Sequence, residues 1–411
     1  MKHLDIAVCG CGPAGLAAAL LLQRAGHRVR IFERFERPRP VGSGLILQPT
    51  GLGVLSEMGV VGEIVALGAR IDRLFGRVRP SNRVVLDVRY AALGQGWHGV
   101  AVHRAALFEV LHRAAVGADV EIVPGMEVGA IDPSGRRVRL LNKSGERLGD
   151  FDLIVDALGS RSPLASGLAR KTVLPYGALW TNIPFPSQGS LLKNALEQRY
   201  YRASRMAGVL PIGKSDVAGS TLAAFFWSLR RDQFEVWRSR PLTAWKQEVE
   251  QLWPEAASAL DCIVDHEQLV FAQYEHFTAR LPYSSGLVHI GDSARCTSPQ
   301  LGQGANMAML DALALCRALQ SSDPLSEQLR QYARMRYWHV RLFQAASAIF
   351  TPFYQSDSVV LPIVRDWFAS PLSQLPIGDA VIARLVSGMT VSPLMKSRFS
   401  AFRTQAPGLR Y

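Results

Sequence analysis

Residues 4–33 read LDIAVCGCGPAGLAAALLLQRAGHRVRIFE and contain a strand, a turn, a helix and a second strand in succession. The apolar run over residues 4–9 predicts a buried strand, and the alanine- and leucine-rich run over residues 13–24 predicts a helix. Gly26 marks the end of that helix, and residues 29–32 predict the next strand. The stretch therefore predicts the first βαβ unit of an α/β domain.

The turn in this unit carries three glycines in the spacing Gly10-x-Gly12-x-x-Gly15. In a dinucleotide-binding unit the first glycine allows the tight turn and the second lets a pyrophosphate approach the backbone, while the third lets the helix pack on the strand. Glu33 ends the second strand, where it is placed to accept hydrogen bonds from the adenosine ribose hydroxyls. The alternative for Glu33 is a solvated acid at a strand end. The unit as a whole predicts dinucleotide binding.

A second glycine-rich turn lies late in the chain. An apolar strand over residues 287–290 precedes it, and an Ala/Leu/Met helix follows over about 305–319. Three small residues lie where that helix begins, namely Gly302, Gly304 and Ala305. Such a start exposes backbone N–H groups and the positive end of a helix dipole, which suits an anionic or electron-rich group lying flat against the backbone. The alternative is an ordinary βα turn.

The composition is that of a globular protein able to bury a sizeable core, with 411 residues, 48% hydrophobic and 19% charged. No apolar run is long enough for a transmembrane helix, and the N-terminus enters a strand without a signal-peptide pattern. The five cysteines are odd in number and lack metal-site spacing. We therefore expect reduced thiols, no metal site and a cytoplasmic location.

The net charge of +12 comes mostly from arginines that are dispersed along the chain. Because no basic block with interleaved aromatic residues is present, we do not expect nucleic-acid binding. Arginine-rich surfaces also attract other anions. The charge leaves open a peripheral contact with an anionic membrane surface or with an acidic carrier protein.

Between the two turns, several segments carry candidate functional residues. Residues 38–53 are rich in glycine and proline, and a loop of this length within a compact fold is usually functional. Arg104 directly precedes a predicted helix over 105–115. Two roles are open for it, contact with a phosphate and a surface ion pair. The apolar strand over residues 152–155 ends in Asp156 and returns the chain to the dinucleotide domain.

Residues 172–280 differ in character, because alternating and aromatic segments there predict antiparallel strands. We expect one helix to carry Trp237, Trp245 and Trp253, and we expect helices again beyond residue 319. Five aromatic residues of the predicted sheet either roof an apolar pocket or belong to the core: Tyr200, Tyr201, Phe225, Phe226 and Trp227.

Three features stand in one order along the chain: the first glycine turn with Glu33, the Asp156 segment, and Gly291-Asp292 followed by the Gly-Gln-Gly turn. In these features the sequence resembles the single-component FAD-dependent aromatic monooxygenases, the para-hydroxybenzoate hydroxylase-like family, over nearly its whole length. The tail over about 345–389 is similar to that of the ubiquinone-biosynthesis hydroxylases and their relatives in secondary metabolism.

The resemblance implies an α/β fold in which a Rossmann-type FAD-binding domain is interleaved with a mixed or antiparallel-sheet substrate domain, followed by C-terminal helices. The implied boundaries are 1–75, 100–170 and 281–320 for the FAD-binding domain, 76–99 and 171–280 for the substrate domain, and 321–411 for the C-terminal helical region.

The resemblance also implies how FAD is held. The first glycine motif binds the ADP half, Glu33 its ribose, and Asp292 the ribityl chain. The turn at 302–306 places its N–H groups beside the flavin N1–C2=O edge, where negative charge collects on reduction. The full set of expected FAD contacts is Gly10, Gly12, Pro13, Ala14, Gly15, Glu33, Arg34, Gly44, Arg104, Asp156, Asp292, Pro299, Gly302, Gly304, Ala305 and Asn306.

The sequence departs from the family pattern at three positions. The family expects Asp-Gly-x-x-Ser-x-x-Arg in the middle motif, where this chain has Ala157 as the second residue and Pro163 as the last. That motif contacts FAD and NAD(P)H in the family, so the choice between NADH and NADPH stays open. Arg295 replaces the histidine that usually follows the Gly-Asp pair, which puts an extra cation near the site.

In the implied reaction, NAD(P)H reduces FAD, O2 adds at flavin C4a, and the hydroperoxide hydroxylates a small aromatic or other electron-rich substrate. No catalytic residue is assigned, since five candidates for a phenol-deprotonating base remain equal: His98, His103, His276, Tyr176 and Tyr201. The alternatives are an FAD-dependent halogenase, oxidase or reductase on the same fold, and a flavin-binding protein without turnover. The oligomeric state is left open.

Overall fold

Two large sheets and a C-terminal helical region build the molecule, for which the computed structural model describes residues 3–37, 42–186, 191–214, 219–373, 375–395 and 397–404. Part of the predicted functional loop, residues 38–41, and the end of the predicted C-terminal region, residues 405–411, lie outside the described residues. Among the described residues no helix is both long and apolar enough to cross a bilayer.

The strands are β1 Asp5–Cys9, β2 Arg28–Phe32, β3 Gly44–Leu47, β4 Ala69–Ile71, β5 Arg73–Val78, β6 Val84–Arg89, β7 Gly99–His103, β8 Glu121–Val123, β9 Val128–Asp132, β10 Val138–Asn142, β11 Arg147–Phe151, β12 Leu153–Asp156, β13 Thr172–Pro184, β14 Ala195–Tyr201, β15 Arg205–Gly213, β16 Leu222–Arg230, β17 Val270–Thr278, β18 Tyr283–Ser284, β19 Leu287–His289 and β20 Arg295–Cys296. The α-helices are α1 Pro13–Arg24, α2 Pro49–Glu57, α3 Val61–Leu67, α4 Arg104–Val116, α5 Phe234–Ser239, α6 Leu242–Leu252, α7 Pro254–Ala257, α8 Gly304–Leu319, α9 Leu325–Tyr354, α10 Val360–Val364, α11 Ser370–Ser373 and α12 Pro376–Ser387.

The first sheet has the strand order β18-β19-β12-β1-β2-β8, and its strands are parallel except at the β18 edge. Its central strands are almost wholly apolar, since helices cover them and side chains such as Ile6 and Val8 are fully buried. The carboxyl ends of β1, β12 and β19 meet at one edge, which brings Gly10, Ala157 and Gly291 together. The predicted Rossmann-type unit is confirmed.

The second sheet has eight strands in the order β20-β17-β13-β16-β15-β14-β5-β6, all antiparallel neighbours except β14 and β5. This confirms the predicted mixed or antiparallel sheet. Side chains alternate along β16, so Phe225 and Trp227 pack with the helices on one face while Phe226 points to the other.

The predicted single helix with three tryptophans is wrong. The chain forms the separate helices α5 and α6 there, and Trp253 lies between α6 and α7. Pro241 immediately precedes α6 and Pro254 opens α7, and a proline cannot donate the backbone hydrogen bond that would continue a helix. The helix predicted after the second glycine turn is confirmed as α8, and α9 extends over 30 residues beside it.

A buried carboxylate joins α8 to its surroundings. Asp311 is fully buried, and its Oδ2 accepts hydrogen bonds from the backbone N–H of Gly291, at 2.9 Å, and from Arg295. Its Oδ1 accepts from Arg336 Nε of α9 at 2.8 Å, and the same guanidinium donates to the Pro393 carbonyl at 2.6 Å. The departure at Arg295 therefore has a structural reason, because this arginine is a partner of Asp311.

We predict that Asp311→Ala lowers the free energy of unfolding by about 3–5 kcal/mol, because it leaves two buried guanidinium groups without their carboxylate. Chemical denaturation of the purified protein measures this loss. The exposed Asp261→Ala is the matched control, for which a change within about 0.5 kcal/mol is expected. Equal stability of the two variants would show that the buried network contributes nothing.

Candidate functional site

The first glycine turn leaves an open cradle at the start of α1. Gly10 adopts a φ of +104°, and its N–H donates to the Phe32 carbonyl at 2.8 Å, which ties the turn to β2. A Cβ on Gly15 would lie 1.9 Å from the Gly10 carbonyl oxygen, so only glycine fits there. A Cβ on Gly12 would meet nothing within 4 Å. The space beside Gly12 and the N-terminal end of α1 therefore fits a pyrophosphate.

Glu33 is hydrogen-bonded to this turn. Its Oε2 accepts from the Cys11 N–H at 2.8 Å and its Oε1 from the Phe35 N–H at 3.2 Å. Burial, with a smaller contribution from the Glu33 charge, raises the pKa of the Cys11 thiol to about 12, so the thiol stays neutral at physiological pH. The neighbouring Arg34 is exposed, with its guanidinium 4.6 Å from the centre of the Phe35 ring. The carboxylate is thus fixed at the mouth of the cradle.

The two glycine turns meet at Gly291. This residue has a φ of +60°, and a Cβ on it would lie 3.1 Å from the Ala14 Cβ and 3.2 Å from the Ala308 Cβ. Ala14 belongs to the first turn of α1, and Ala308 to the beginning of α8. The positive ends of two helix dipoles therefore lie side by side, which favours a ligand that carries negative charge near both.

A cavity of about 850 Å³ extends from the second glycine turn to the eight-stranded sheet. Gly302 ends a short turn with a φ of +59°, and its N–H donates to the Pro299 carbonyl at 2.9 Å. A Cβ on Gly304 would meet nothing within 4 Å, and no side chain caps α8. The predicted site residues that line the cavity are Gly44, Arg104, Asp292, Pro299, Gly302, Gly304 and Ala305.

Asp292 and Arg104 are neighbours in this cavity. Asp292 lines the cavity and is exposed to it. The cavity walls partly desolvate this carboxyl, which raises its pKa, although the charges of Arg104 and Arg295 act in the opposite direction. Arg104 opens α4, and its guanidinium carbon lies 3.3 Å from the position of a Cβ on Gly42. An acceptor and a cation thus face the same space, which suits a chain of hydroxyl groups that ends in a phosphate.

Asp156 is held inside the protein instead of lining the cavity. Its Oδ1 accepts from the Leu158 N–H at 3.0 Å, and its Oδ2 accepts from Ser162 Oγ at 2.7 Å and lies 2.7 Å from His289 Nδ1. The following backbone contacts the first turn, because a Cβ on Gly10 would lie 2.7 Å from the Ala157 carbonyl oxygen. The carboxylate therefore shapes the loop beside the cradle, and its own contact with FAD stays a prediction.

Asn306 also acts through the protein backbone. Its Oδ1 accepts from the Gln48 N–H at 2.8 Å, and its Nδ2 donates to the carbonyls of Ile46, at 3.1 Å, and Gly302, at 3.0 Å. The side chain thus joins the end of β3 to the second glycine turn. Because both polar atoms of the side chain are hydrogen-bonded within the protein, the predicted contact of Asn306 with FAD would come from its backbone.

Two glutamines at the second turn were not predicted from the sequence. The Gln48 Oε1 accepts from the Tyr90 hydroxyl at 2.5 Å, while its Nε2 has no partner among the described residues and lies 3.7 Å from the position of a Cβ on Gly302. The Gln303 Nε2 donates to the Val386 carbonyl at 2.6 Å, and its Oε1 has no described partner. Both side chains are buried and line the cavity.

A buried polar atom without a partner costs about 1–3 kcal/mol, so an orphan donor and an orphan acceptor at one turn indicate a ligand that satisfies both. The pyrimidine ring of a flavin presents carbonyl oxygens and an N–H on one edge. The described residues therefore fit FAD. Gln303 could have been identified from the sequence, because it lies inside the Gly-Gln-Gly turn. No local sequence pattern singles out Gln48.

The opposite part of the cavity is aromatic. The ring centres of Trp180 and Phe226 lie 4.8 Å apart, and Trp180 Nε1 donates to the Tyr274 hydroxyl at 2.9 Å. Of the five predicted roof residues, Tyr200 and Phe226 line the cavity. Phe225 and Trp227 belong to the core on the other face of the sheet, and Tyr201 is 40% exposed.

None of the five candidate bases is among the described residues that line the cavity. His103 caps α4 by accepting from the Ala105 N–H, and Tyr176 donates to Asp357. Burial lowers the pKa of each of the three histidines, which lie at positions 98, 103 and 276. Within the described residues, no group of histidine, cysteine or carboxylate side chains could hold a metal ion.

Comparison with known proteins agrees with this geometry. The sequence pattern of the FAD binding domain family matches residues 3–341. The chain is 25% identical over 399 residues to the aurachin C monooxygenase/isomerase of Stigmatella aurantiaca, covering 95% of this chain and 99% of that one. It is 25% identical over 404 residues to the 6-methylpretetramide 4-monooxygenase of Streptomyces rimosus, covering 94% and 93%.

Among solved structures, an HpxO variant of Klebsiella pneumoniae complexed with FAD is similar in fold. Its TM-score is 0.76 at 18% sequence identity, and the match covers 94% of this chain and 99% of that one.

We predict that Gln48→Leu weakens FAD binding by about 2- to 10-fold, the value of one neutral hydrogen bond of about 0.5–1.5 kcal/mol. The substitution is best made in a Tyr90→Phe background, because Gln48→Leu alone would leave the buried Tyr90 hydroxyl, which donates to the Gln48 Oε1, without an acceptor. Fluorescence titration of the apoprotein with FAD gives both dissociation constants. Equal affinities with and without Gln48→Leu would contradict the assignment.

Proposed function

Because this chain belongs to the FAD binding domain family of FAD-dependent aromatic monooxygenases, we propose that it hydroxylates an aromatic or other electron-rich small molecule bound against the aromatic wall of the cavity. The observation that carries this proposal is the continuity of one cavity from the second glycine turn to Trp180, Phe226 and Tyr274. FAD, when bound, takes electrons from NADH or NADPH and activates O2 for transfer of one oxygen atom.

In this proposal the cradle at Gly12 holds the FAD pyrophosphate and Glu33 the adenosine ribose. Asp292 and Arg104 hold the ribityl and phosphate portion, and the free N–H groups at the start of α8 face the flavin edge that gains negative charge. The remaining predicted contacts, Pro13, Ala14, Arg34, Gly44, Asp156 and Pro299, stay part of the same proposal.

The aromatic wall has two tasks in the proposed reaction. The rings of Trp180 and Phe226 offer flat apolar surface for an aromatic substrate, and the Tyr274 hydroxyl is held by Trp180 Nε1 beside them. Burial raises the pKa of that hydroxyl, so it stays protonated over the physiological range and keeps its role in hydrogen bonding. The same apolar surface excludes water from the place where oxygen transfer occurs.

The domain division is also proposed, with 1–75, 100–170 and 281–320 forming the FAD-binding domain, 76–99 and 171–280 the substrate domain, and 321–411 the helical region. The strand order supports it in outline, since β13 to β17 form most of the eight-stranded sheet. Strand β5 crosses the first boundary, because it begins at Arg73.

The function is tested by turnover with NADH or NADPH and a panel of phenols and hydroxylated heteroaromatics. We expect substrate-stimulated oxidation of the nucleotide and a product heavier by one oxygen atom; turnover that does not need O2 would contradict the proposal. Trp180→Ala should lower the stimulated rate at low substrate about tenfold, the equivalent of about 1.4 kcal/mol, while FAD stays bound. Trp338→Ala, which changes an exposed tryptophan, is the matched control.

We also propose a peripheral contact with an anionic membrane surface through the C-terminal helices. The apolar side chains that are exposed there include Val359, Val360, Ile363, Trp367, Phe368, Ile377 and Val381. The Trp367 ring lies 3.6 Å from the guanidinium carbon of Arg83, and the chain carries a net charge of +12. Exposed aromatic and aliphatic residues with nearby arginines suit the interface of an anionic bilayer. The five free cysteines fit a reducing compartment, so a cytoplasmic location is retained as part of the proposal.

Sedimentation with vesicles tests this contact. We expect binding to vesicles that contain phosphatidylglycerol, weaker binding to phosphatidylcholine vesicles, and loss of binding when Trp367→Ser and Phe368→Ser are combined. Val264→Ser removes an even more exposed apolar side chain outside the C-terminal helices and should change nothing. Absence of the protein from both vesicle pellets would contradict the membrane contact and leave an acidic carrier protein as the partner to examine.

A further inference from the structure

The helical segment over residues 359–370 has an apolar outer face and a polar inner face. It contains α10 and one π-helical turn, Arg365–Ala369, and ends where α11 begins. The polar side chains of Arg365 and Ser370 are 2% and 3% exposed. A surface helix in water has the opposite arrangement, so the outer face suits a medium less polar than water. Among the described side chains of the segment, the exposed ones are all apolar and recur at helical spacing: Val359, Val360, Ile363, Val364, Trp367 and Phe368.

The inner face of the same segment forms part of the cavity wall. Arg365 and Ser370 line the cavity. The Arg365 guanidinium carbon lies 5.1 Å from the centre of the Tyr200 ring and 5.3 Å from that of Tyr354, and its Nη1 donates to the Phe353 carbonyl at 2.9 Å. The segment is thus a single helical layer between the cavity and the outside. A movement of this layer would open the cavity.

The N-terminal end of the segment is anchored to the eight-stranded sheet. Asp357 accepts from the Tyr176 hydroxyl of β13 at 2.6 Å and from Arg230 of β16. The Ser356 N–H donates to the Ala203 carbonyl, between β14 and β15, at 3.1 Å. Residues 356–358 therefore form a fixed end about which the rest of the segment can turn.

The other end of the segment contacts the β5–β6 hairpin. Arg83 Nη1 donates to the Asp366 carbonyl at 3.3 Å, and its guanidinium carbon lies 3.6 Å from the centre of the Trp367 ring. Ser370 Oγ donates to the Val84 carbonyl at 3.1 Å. A cation of the hairpin thus covers an aromatic ring of the segment, and both hydrogen bonds end on neutral carbonyl groups. Loss of the Arg83 contact would loosen this end.

An anionic lipid surface competes for both sides of the Arg83 contact. A phosphate binds a guanidinium more strongly than a backbone carbonyl does, because the phosphate is charged. Trp367 and Phe368 gain apolar surroundings when they enter the bilayer interface. The only acid of the segment, Asp366, pairs with Arg365 and does not offer a free negative charge to repel the lipid. The lipid surface therefore interacts more favourably with the state in which Arg83 has left Trp367, as a shift between two states requires.

We propose that residues 359–370 form a lid that closes the cavity in water and opens when the protein binds an anionic lipid surface. Lipid phosphates take Arg83 from Asp366 and Trp367, and the lid turns about residues 356–358 so that its apolar face enters the bilayer. The inference rests on the membrane contact proposed above, to which it adds control of access to the cavity.

The distance between two nitroxide labels, measured by electron–electron double resonance, tests the movement in the FAD-loaded protein. The labels are attached at Ser81→Cys in the hairpin and Val364→Cys in the lid, in a Cys262→Ser background, because the other four cysteines are buried. We expect a population at longer distance with phosphatidylglycerol vesicles and none with phosphatidylcholine vesicles. A pair at Ser81→Cys and Thr243→Cys, both exposed and outside the lid, is the control and should not change.

A variant of the hairpin separates the release of the lid from the lipid. We expect Arg83→Gln to populate the longer distance in water, and Arg83→Lys to do so less because it keeps the charge. Arg136→Gln changes an exposed arginine between β9 and β10 and should behave as the wild type.

Access to the cavity is measured by the reaction of N-ethylmaleimide with a cysteine placed in its wall. The position is Ala178→Cys, since Ala178 lines the cavity and is buried. We expect phosphatidylglycerol vesicles to raise the rate at least about tenfold, as follows if the lid is open in fewer than about one molecule in ten in water. The Cys262→Ser protein without this cysteine gives the background rate.

Sedimentation of the same samples distinguishes failure of the lid from failure of the membrane contact. Protein that binds phosphatidylglycerol vesicles with unchanged label distance and maleimide rate would overturn the lid and leave the membrane contact intact. Protein that does not bind these vesicles would overturn both. Wild-type distances for Arg83→Gln in water would overturn the role given to Arg83. Because no NAD(P)H is consumed, failure of the proposed monooxygenation would not alter these results.

Discussion

The buried carboxylate of Asp311 is the interaction on which the candidate site depends. Two guanidinium groups and one carboxylate are removed from water, which is costly unless every group is hydrogen-bonded in good geometry. Asp311 meets this requirement by accepting from Arg295, Arg336 and the Gly291 N–H. Since Gly291 lies between α1 and α8, the same carboxylate fixes the place where the two glycine turns meet. Charged groups in the core thereby fix the position of Gly291, which lines the cavity.

Local patterns in the sequence predict much of the fold. The glycine spacing around Gly12, the apolar strands on either side and the helix after Gly302 depend on residues close in sequence, so composition and periodicity predict them. Asp292 was assigned to the cofactor by the family resemblance, and it lines the cavity three residues after the end of β19. For these elements the structure and the family match agree with the sequence prediction.

Long-range contacts account for what was missed. The contact of Asp156 with FAD stays a prediction, and one sequence did not show that its carboxylate accepts from Ser162 and from the backbone of its own loop, with His289 of a neighbouring strand alongside. Asn306 and Gln48 form hydrogen bonds across 258 positions of the chain, a distance over which one sequence gives no signal. The prediction of one tryptophan helix is wrong for a local reason, since Pro241 and Pro254 divide the segment. The five candidate bases are absent from the described residues that line the cavity, because residue type alone does not place a side chain in a cavity.

These contacts determine which elements of the chain provide each part of the site. Backbone N–H groups and two glutamines with unpartnered polar atoms lie at the second glycine turn, while aromatic rings from the second sheet form the opposite wall. A flavin enzyme of this design needs no nucleophile or metal of its own, because the protein supplies position, charge and exclusion of water. Each of these contributions comes from elements that are distant in sequence and are held together by the buried core.

In the proposed reaction an oxygen atom of O2 is transferred to an aromatic substrate in this cavity. The most direct measurement is mass spectrometry of the product formed under heavy-isotope dioxygen in ordinary water, with NAD(P)H as reductant. The product is expected to gain one heavy oxygen atom from the gas. A product that takes its new oxygen atom from water, or that gains none, would contradict it.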